Sequence, residues 1–136
     1  MENTEHYPPP WHLKGAGFII PFLGNKTKLL EKGFMSEEEK EFFRGGLGAI
    51  MLVNYEASDV GQYFELLFIP GDFASNASGK SKLYKRITKI FVSSSISIQE
   101  GRLNWAIPKE FANFKWNMNG NNTEVSVSTN DGEVFL

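Results

Sequence analysis

The chain has 136 residues, 41% of them hydrophobic and 22% charged, with 12 Phe, 4 Tyr and 3 Trp; this is the make-up of one globular domain with its own core and excludes a disordered chain. Fourteen basic against sixteen acidic side chains leave a net charge of -2, without the basic excess that a general nucleic-acid binder carries. There is no cysteine, so disulfide frameworks, thiol nucleophiles and Cys-ligated metal centres are all excluded.

Residues 1–12 read as an extended arm. They hold Glu2, Glu5 and three prolines and no apolar segment of a secretory signal, and Pro8-Pro9-Pro10 favours polyproline geometry with Trp11 as an anchor onto the body. The longest mostly apolar stretch, Gly45 to Val53, is too short to cross a bilayer, and the expected location is the cytoplasm. Phe18 to Phe22 reads as a short strand, whereas Asn25 to Lys32 is polar with only Leu29 and Leu30 to bury. Ser36-Glu37-Glu38-Glu39 supplies a capping box and first-turn acids, and Arg44 with Gly45-Gly46 supplies a stop. Together they predict a helix over Glu37 to Arg44 that buries Phe42, with Phe43 as the second candidate.

Beyond it the texture is β. Leu47 to Tyr55 and Tyr63 to Pro70 read as a hairpin, Gly71 to Lys80 as a loop, and Leu83 to Ser94 as a strand region centred on Ile87 to Val92. Ser95 to Gly101 reads as a helical turn. Pro108 to Phe114 reads as a short helix, with Pro at its first position and Phe111 and Phe114 three apart. Asn119 to Asn122 is a turn, Thr123 to Thr129 alternates as a strand, and Asn130-Asp131-Gly132 signals a second hairpin whose returning arm has only Glu133 to Leu136. A strand ordinarily runs about five or six residues, so the chain reads as one domain cut short at its end.

Several motifs fail. Gly15-Ala16-Gly17 opens a dinucleotide fingerprint, but Ile20 stands at its third glycine. Gly79-Lys80-Ser81 imitates the end of a P-loop, but Ala74 stands at its first. His6 and His12 are the only histidines, both in the arm, which leaves almost no material for a His-based metal site or a Ser-His-Asp triad. Lys80, Lys82, Lys85, Arg86 and Lys89 read first as a solvated strand face and second as an anion-binding patch.

Two residues stand out. Lys109 follows an apolar run at the expected helix start, where the positive end of the macrodipole and desolvation by Trp105, Ile107 and Phe111 would both lower its pKa. A neutral amine is what Schiff-base chemistry with a carbonyl requires. The competing reading is a surface lysine beside Glu110 with its head in solvent. Glu65 lies in a strand with two apolar faces, Tyr63, Leu67 and Ile69 on one and Phe64, Leu66 and Phe68 on the other. A carboxylate there is paired, protonated or facing a polar cavity, unless the strand lies at an edge.

Read together, Gly61, Tyr63 and Glu65 in a G-x-Y-x-E strand and Gly101, Arg102, Pro108 and Lys109 in a G-R-x(5)-P-K element resemble the acetoacetate decarboxylase superfamily in order and spacing. The Pro-rich opening and Gly45-Gly46-x-Gly48 are similar to branches of the same superfamily. The resemblance covers most of residues 8 to 116. It implies a mainly β fold with two or three short helices, a barrel- or cone-like antiparallel sheet left incomplete at the C-terminus. It implies Lys109 as the nucleophile that forms an iminium with a small oxo acid, Glu65 as its acid/base or orienting carboxylate, and Tyr63, Trp105 and Arg102 as substrate-binding residues. No metal and no organic cofactor is implied, and the partner is a small-molecule carbonyl compound, not a nucleic acid or a membrane; a homo-oligomer stays open. Glu110 stands where the decarboxylases have a second lysine, and Lys14 is the cation nearest to the place of their N-terminal arginine. A module that keeps the cavity for a carbonyl ligand without catalysis is the alternative.

Overall fold

A computed structural model of the chain describes residues 6–75, 82–105 and 109–133, without the side chains of Asn104 and Trp105. In chain order it contains β1 (Lys14–Leu23), α1 (Lys26–Lys32), α2 (Glu37–Phe42), β2 (Phe43–Gly45), β3 (Leu47–Ala57), β4 (Tyr63–Ile69), β5 (Asp72–Ser75), β6 (Lys82–Lys85), β7 (Lys89–Val92), α3 (Ser95–Trp105), β8 (Lys109–Phe111), β9 (Asn113–Asn119) and β10 (Asn122–Ser128). The fold is mainly β with three helices. Its sheets have the orders β1-β3-β4-β7-β8, β2-β5-β6 and β10-β9; all three are open among the described residues, and none closes as a barrel. No helix among the described residues is long and apolar enough to cross a membrane.

The chain divides into two compact units. One comprises Phe18–Leu52 and Leu67–Ile90. Here α1 was not foreseen, because Leu29 and Leu30 alone make no apolar stripe; it forms between an Asn25 cap, whose side chain accepts from Lys28 N, and Gly33. Helix α2 has the expected capping box, Ser36 Oγ accepting from Glu39 N at 3.1 Å and Glu39 Oε1 from Ser36 N at 3.1 Å. It stops at Phe42, two residues before the expected end, because Phe43 leaves for β2, which pairs antiparallel with β5. Of the two candidates Phe43 is therefore the buried ring, packed on Phe73 at 5.2 Å between centroids, and Phe42, expected first, is exposed. Residues 72–75 of the expected loop are strand β5, antiparallel to β2 and to β6; residues 76–81, with Lys80, lie outside the described part. The basic cluster is not one patch: Lys85 pairs with Asp72 and Arg86 with Glu39, both at 2.8 Å, and Lys89 Nζ lies 5.4 Å from the Phe34 ring centre.

The other unit comprises the described residues of Met1–Gly17, Val53–Leu66 and Phe91–Leu136. Its core includes Val60, Tyr63, Leu66, Phe91, Val92, Ala112 and Val127. Helix α3 runs to Trp105, longer than the expected turn, and is preceded by Ser94, whose Oγ accepts from Ser97 N at 3.1 Å. The helix expected over Pro108 to Phe114 is absent. Its described residues are β8 and the start of β9, because Ala112 N bonds to Val92 O and residues 113–119 pair with β10 along their whole length. The phenylalanines that looked like a helical i, i+3 pair separate: Phe111 is 41% exposed, while Phe114 and Trp116, two apart on β9, both stack on Phe64, at 5.7 and 5.4 Å. Period 2 replaces period 3.6. A two-residue turn, Gly120 and Asn121, joins β9 to β10, with Gly120 at φ +58°. The turn at residues 130–132 also forms, Thr129 N bonding to Glu133 O at 2.9 Å; Val134 to Leu136 lie outside the described part.

Candidate active site around Lys109

All described groups of the site belong to the second unit. β4 lies between β3 and β7, so it is an interior strand. Alternation turns Tyr63 and Glu65 to one face, where they are 2% and 5% exposed. From β3, Tyr55 tilts against Tyr63 with ring centres 4.8 Å apart, and its hydroxyl donates to Glu65 Oε2 at 3.0 Å.

Lys109 is the first residue of β8 and is 4% exposed. Its Nζ donates to Ser97 Oγ at 3.0 Å, lies 3.7 Å from Glu65 Oε1, and sits 5.5 Å from the Trp11 and 5.6 Å from the Tyr63 ring centres. Ser97, Glu100 and Gly101 form one buried stripe of α3, at the i, i+3, i+4 spacing of a helical face. The glycine has a packing reason: a Cβ at Gly101 would lie 3.0 Å from Lys109 Cδ and Cε and 3.3 Å from Nζ. The lysine stem occupies the place of that side chain.

Burial lowers the Lys109 pKa and the Glu65 charge opposes the fall. Burial raises the Glu65 pKa, against the pull of the Lys109 charge and of the bonds from Tyr55 and Lys109. Tyr63 is pushed up to about 12 by burial and by the Glu65 charge, with a bond to Ser97 acting the other way; Tyr55 is raised for the same two leading reasons. The helix macrodipole invoked for Lys109 plays no part, since the residue opens a strand. Desolvation alone carries the shift.

Glu110 is exposed, as alternation requires of the next residue on a strand that buries Lys109. Arg102 is exposed, and its Nη2 donates to the main-chain O of Lys109 at 2.8 Å, so the guanidinium holds the start of β8. The side chain of Trp105, and Ile107 and Pro108, lie outside the described part. Lys14 is exposed on β1. Sequence reasoning missed Tyr55 and Ser97, and it took Trp11 only as an anchor. The S-x-x-S start at Ser94 was the one local signal for Ser97; Tyr55 had none, because its role depends on β3 lying beside β4. Glu100 was also missed: it is 1% exposed and its Oε2 lies 2.6 Å from His6 Nδ1.

No protein-family model and no curated protein matches this sequence. Solved structures do. The crystal structure of acetoacetate decarboxylase from Legionella pneumophila subsp. pneumophila str. Philadelphia 1 superposes with a TM-score of 0.63 and 14% identity, over 90% of this chain and 46% of that one. The chain has the acetoacetate decarboxylase-like fold. The enduracididine biosynthesis enzyme MppR, solved with HEPES buffer bound, superposes with a TM-score of 0.65 and 15% identity, over 94% of this chain and 53% of that one. The chain thus spans about half the length of these acetoacetate decarboxylase-like structures.

Proposed function

We propose that this chain carries a lysine Schiff-base enzyme of the decarboxylase type, acting on a small oxo acid with Lys109 as nucleophile. The observation that carries the reading is a buried amine 3.7 Å from a buried carboxylate in an acetoacetate decarboxylase-like fold. Burial moves the two groups in opposite directions, each toward its neutral form, so passing one proton from Nζ to Glu65 yields a free amine beside a neutral carboxylic acid. The amine adds to the ketone carbon, forming the C–N bond, and Glu65 returns its proton to the departing hydroxyl, which leaves as water. The resulting iminium accepts the electron pair of the C–C bond to the carboxylate, and CO₂ leaves. Protonation of the enamine carbon and hydrolysis of the imine release the product and the amine. The Tyr55 hydroxyl orients Glu65, and Ser97 fixes Nζ.

A second reading, a module that binds a small carbonyl compound without turnover, has one observation in its favour. Arg102, expected to bind substrate, engages its Nη2 with the Lys109 carbonyl oxygen. Borohydride reduction in the presence of acetoacetate or a small β-diketone separates the two. A single reduced adduct on Lys109, abolished by Lys109→Arg because a guanidinium forms no imine, together with CO₂ release from acetoacetate, supports the enzyme. An adduct without CO₂ release moves the chemistry to aldol or dehydratase steps. No adduct, or adducts spread over surface lysines, removes Schiff-base catalysis and leaves the binding module.

A further inference from the structure

The catalytic reading makes no use of Glu100, although a carboxylate buried to this degree is costly unless its oxygens are engaged. Among the described residues its partners are in the N-terminal arm. Oε2 lies 2.6 Å from His6 Nδ1 and accepts from Tyr7 N at 3.2 Å. One step further along, Tyr7 O accepts from Trp11 Nε1 at 2.8 Å, and the indole ring stands over Lys109 Nζ. The contacts form a continuous path: carboxylate of α3, peptide of Tyr7, indole of Trp11, amine of Lys109. On the far side of the tryptophan, ahead of β1 and its pairing with β3, the side-chain tie is at His12, whose N donates to Asp59 Oδ2 at 3.3 Å and whose ring lies 3.8 Å from the same carboxylate. His12 is 87% exposed there, so this second tie is screened and weak.

We propose that Glu100 is a positioning residue that seats Trp11 over the Lys109 amine through the Tyr7 peptide, and so governs how freely a carbonyl compound reaches that amine. Its consequence for catalysis rests on the reading of Lys109 given above; the positioning itself does not. Three features of the path argue for it. The carboxylate comes from the same helical face as Ser97 and Gly101, which already shape the lysine. The bond it makes is to a main-chain N–H, which survives changes in the Tyr7 side chain. The indole bonds through its one polar atom to Tyr7 O, which ties the height of the ring over Nζ to the position of that peptide.

The test is the rate at which Lys109 in the full chain is methylated by formaldehyde and cyanoborohydride, read by peptide mass. Tyr7→Pro and Tyr7→Ala lose the same phenol ring, but only the first loses the N–H that Glu100 holds. A hydrogen bond to a buried charged group is strong enough that losing it opens the arm by about tenfold or more, so Lys109 of Tyr7→Pro reacts about tenfold faster than in Tyr7→Ala. Glu100→Leu and Trp11→Leu show the same gain. Glu100→Gln keeps an acceptor for Tyr7 N–H and stays within about twofold of the parent, and Asp59→Asn does likewise. Equal rates in the two Tyr7 variants, a folded Glu100→Leu at the parental rate, or no gain in Trp11→Leu would overturn the proposal. Because methylation needs no keto acid, the expected rates without any borohydride-trapped adduct would remove the catalytic reading and leave the arm intact. A trapped adduct with equal methylation rates would do the reverse.

Discussion

Lys109→Met isolates what the buried pair does for stability. Methionine keeps the length and apolar stem of the side chain, so the packing around Gly101 is retained while the charge and the bond to Ser97 are lost. Glu65, with a side chain 7% exposed, is then left with Tyr55 as its hydrogen-bond partner. Removing one member of a buried ion pair costs about 3 to 5 kcal/mol, because the remaining charge is uncompensated. The retained Tyr55 bond and the option of protonating Glu65 place this case at the lower end, about 3 kcal/mol near neutral pH. The pH dependence has a definite sign. Glu65 is raised above its ordinary value of 4.5 in the fold, so the folded state holds more protons than the unfolded one, and stability falls as pH rises from that value through the folded pKa. Lys109 is lowered from 10.5, so in the parent its contribution works the other way, stability rising as pH climbs through its folded pKa toward 10.5. The variant keeps only the first trend. Urea unfolding at about pH 5 and about pH 8 should therefore show Lys109→Met losing more at the higher pH, and Lys109→Met with Glu65→Gln should recover to within about 1 kcal/mol of the parent. A loss that is flat across that range, or a double variant as weak as the single, would refute the coupling.

Tyr55→Phe removes a donor that lowers the Glu65 pKa; it should cost about 1 to 3 kcal/mol where Glu65 is ionised and less as pH falls through its raised pKa, as urea titrations across a pH series can measure. Gly101→Ala should leave stability within about 1 kcal/mol of the parent, since the gain in helix propensity offsets the crowding. The displaced amine should cut the yield of borohydride-trapped adduct about tenfold, and an undiminished yield would show that the Lys109 stem can move aside without losing its register.

Local chemistry alone was enough for α2, for β3 and β4 as neighbouring strands, and for the turns at Gly120 and Asp131. In each case the signal lies in a few adjacent residues: a capping box, an alternation of apolar side chains, a glycine where φ is positive. Glu65 was legible as an anomaly for a related reason, since a carboxylate between two apolar faces conflicts with its surroundings whatever the fold. Tertiary contacts decided the rest. Pro108 and the Phe111/Phe114 spacing favour a helix locally, yet Lys109 and its successors become strands because Val92 and β10 offer their backbone a ladder. Long-range hydrogen bonds override a weak local preference. The same change moved the basis of Lys109 chemistry from a helix dipole to desolvation. Tyr55, Trp11 and the α3 pair Ser97 and Glu100 come from three separate segments, and no spacing in the sequence encodes the meeting of those segments; only the packing of α3, β3 and the arm gathers them around Lys109 and its neighbours.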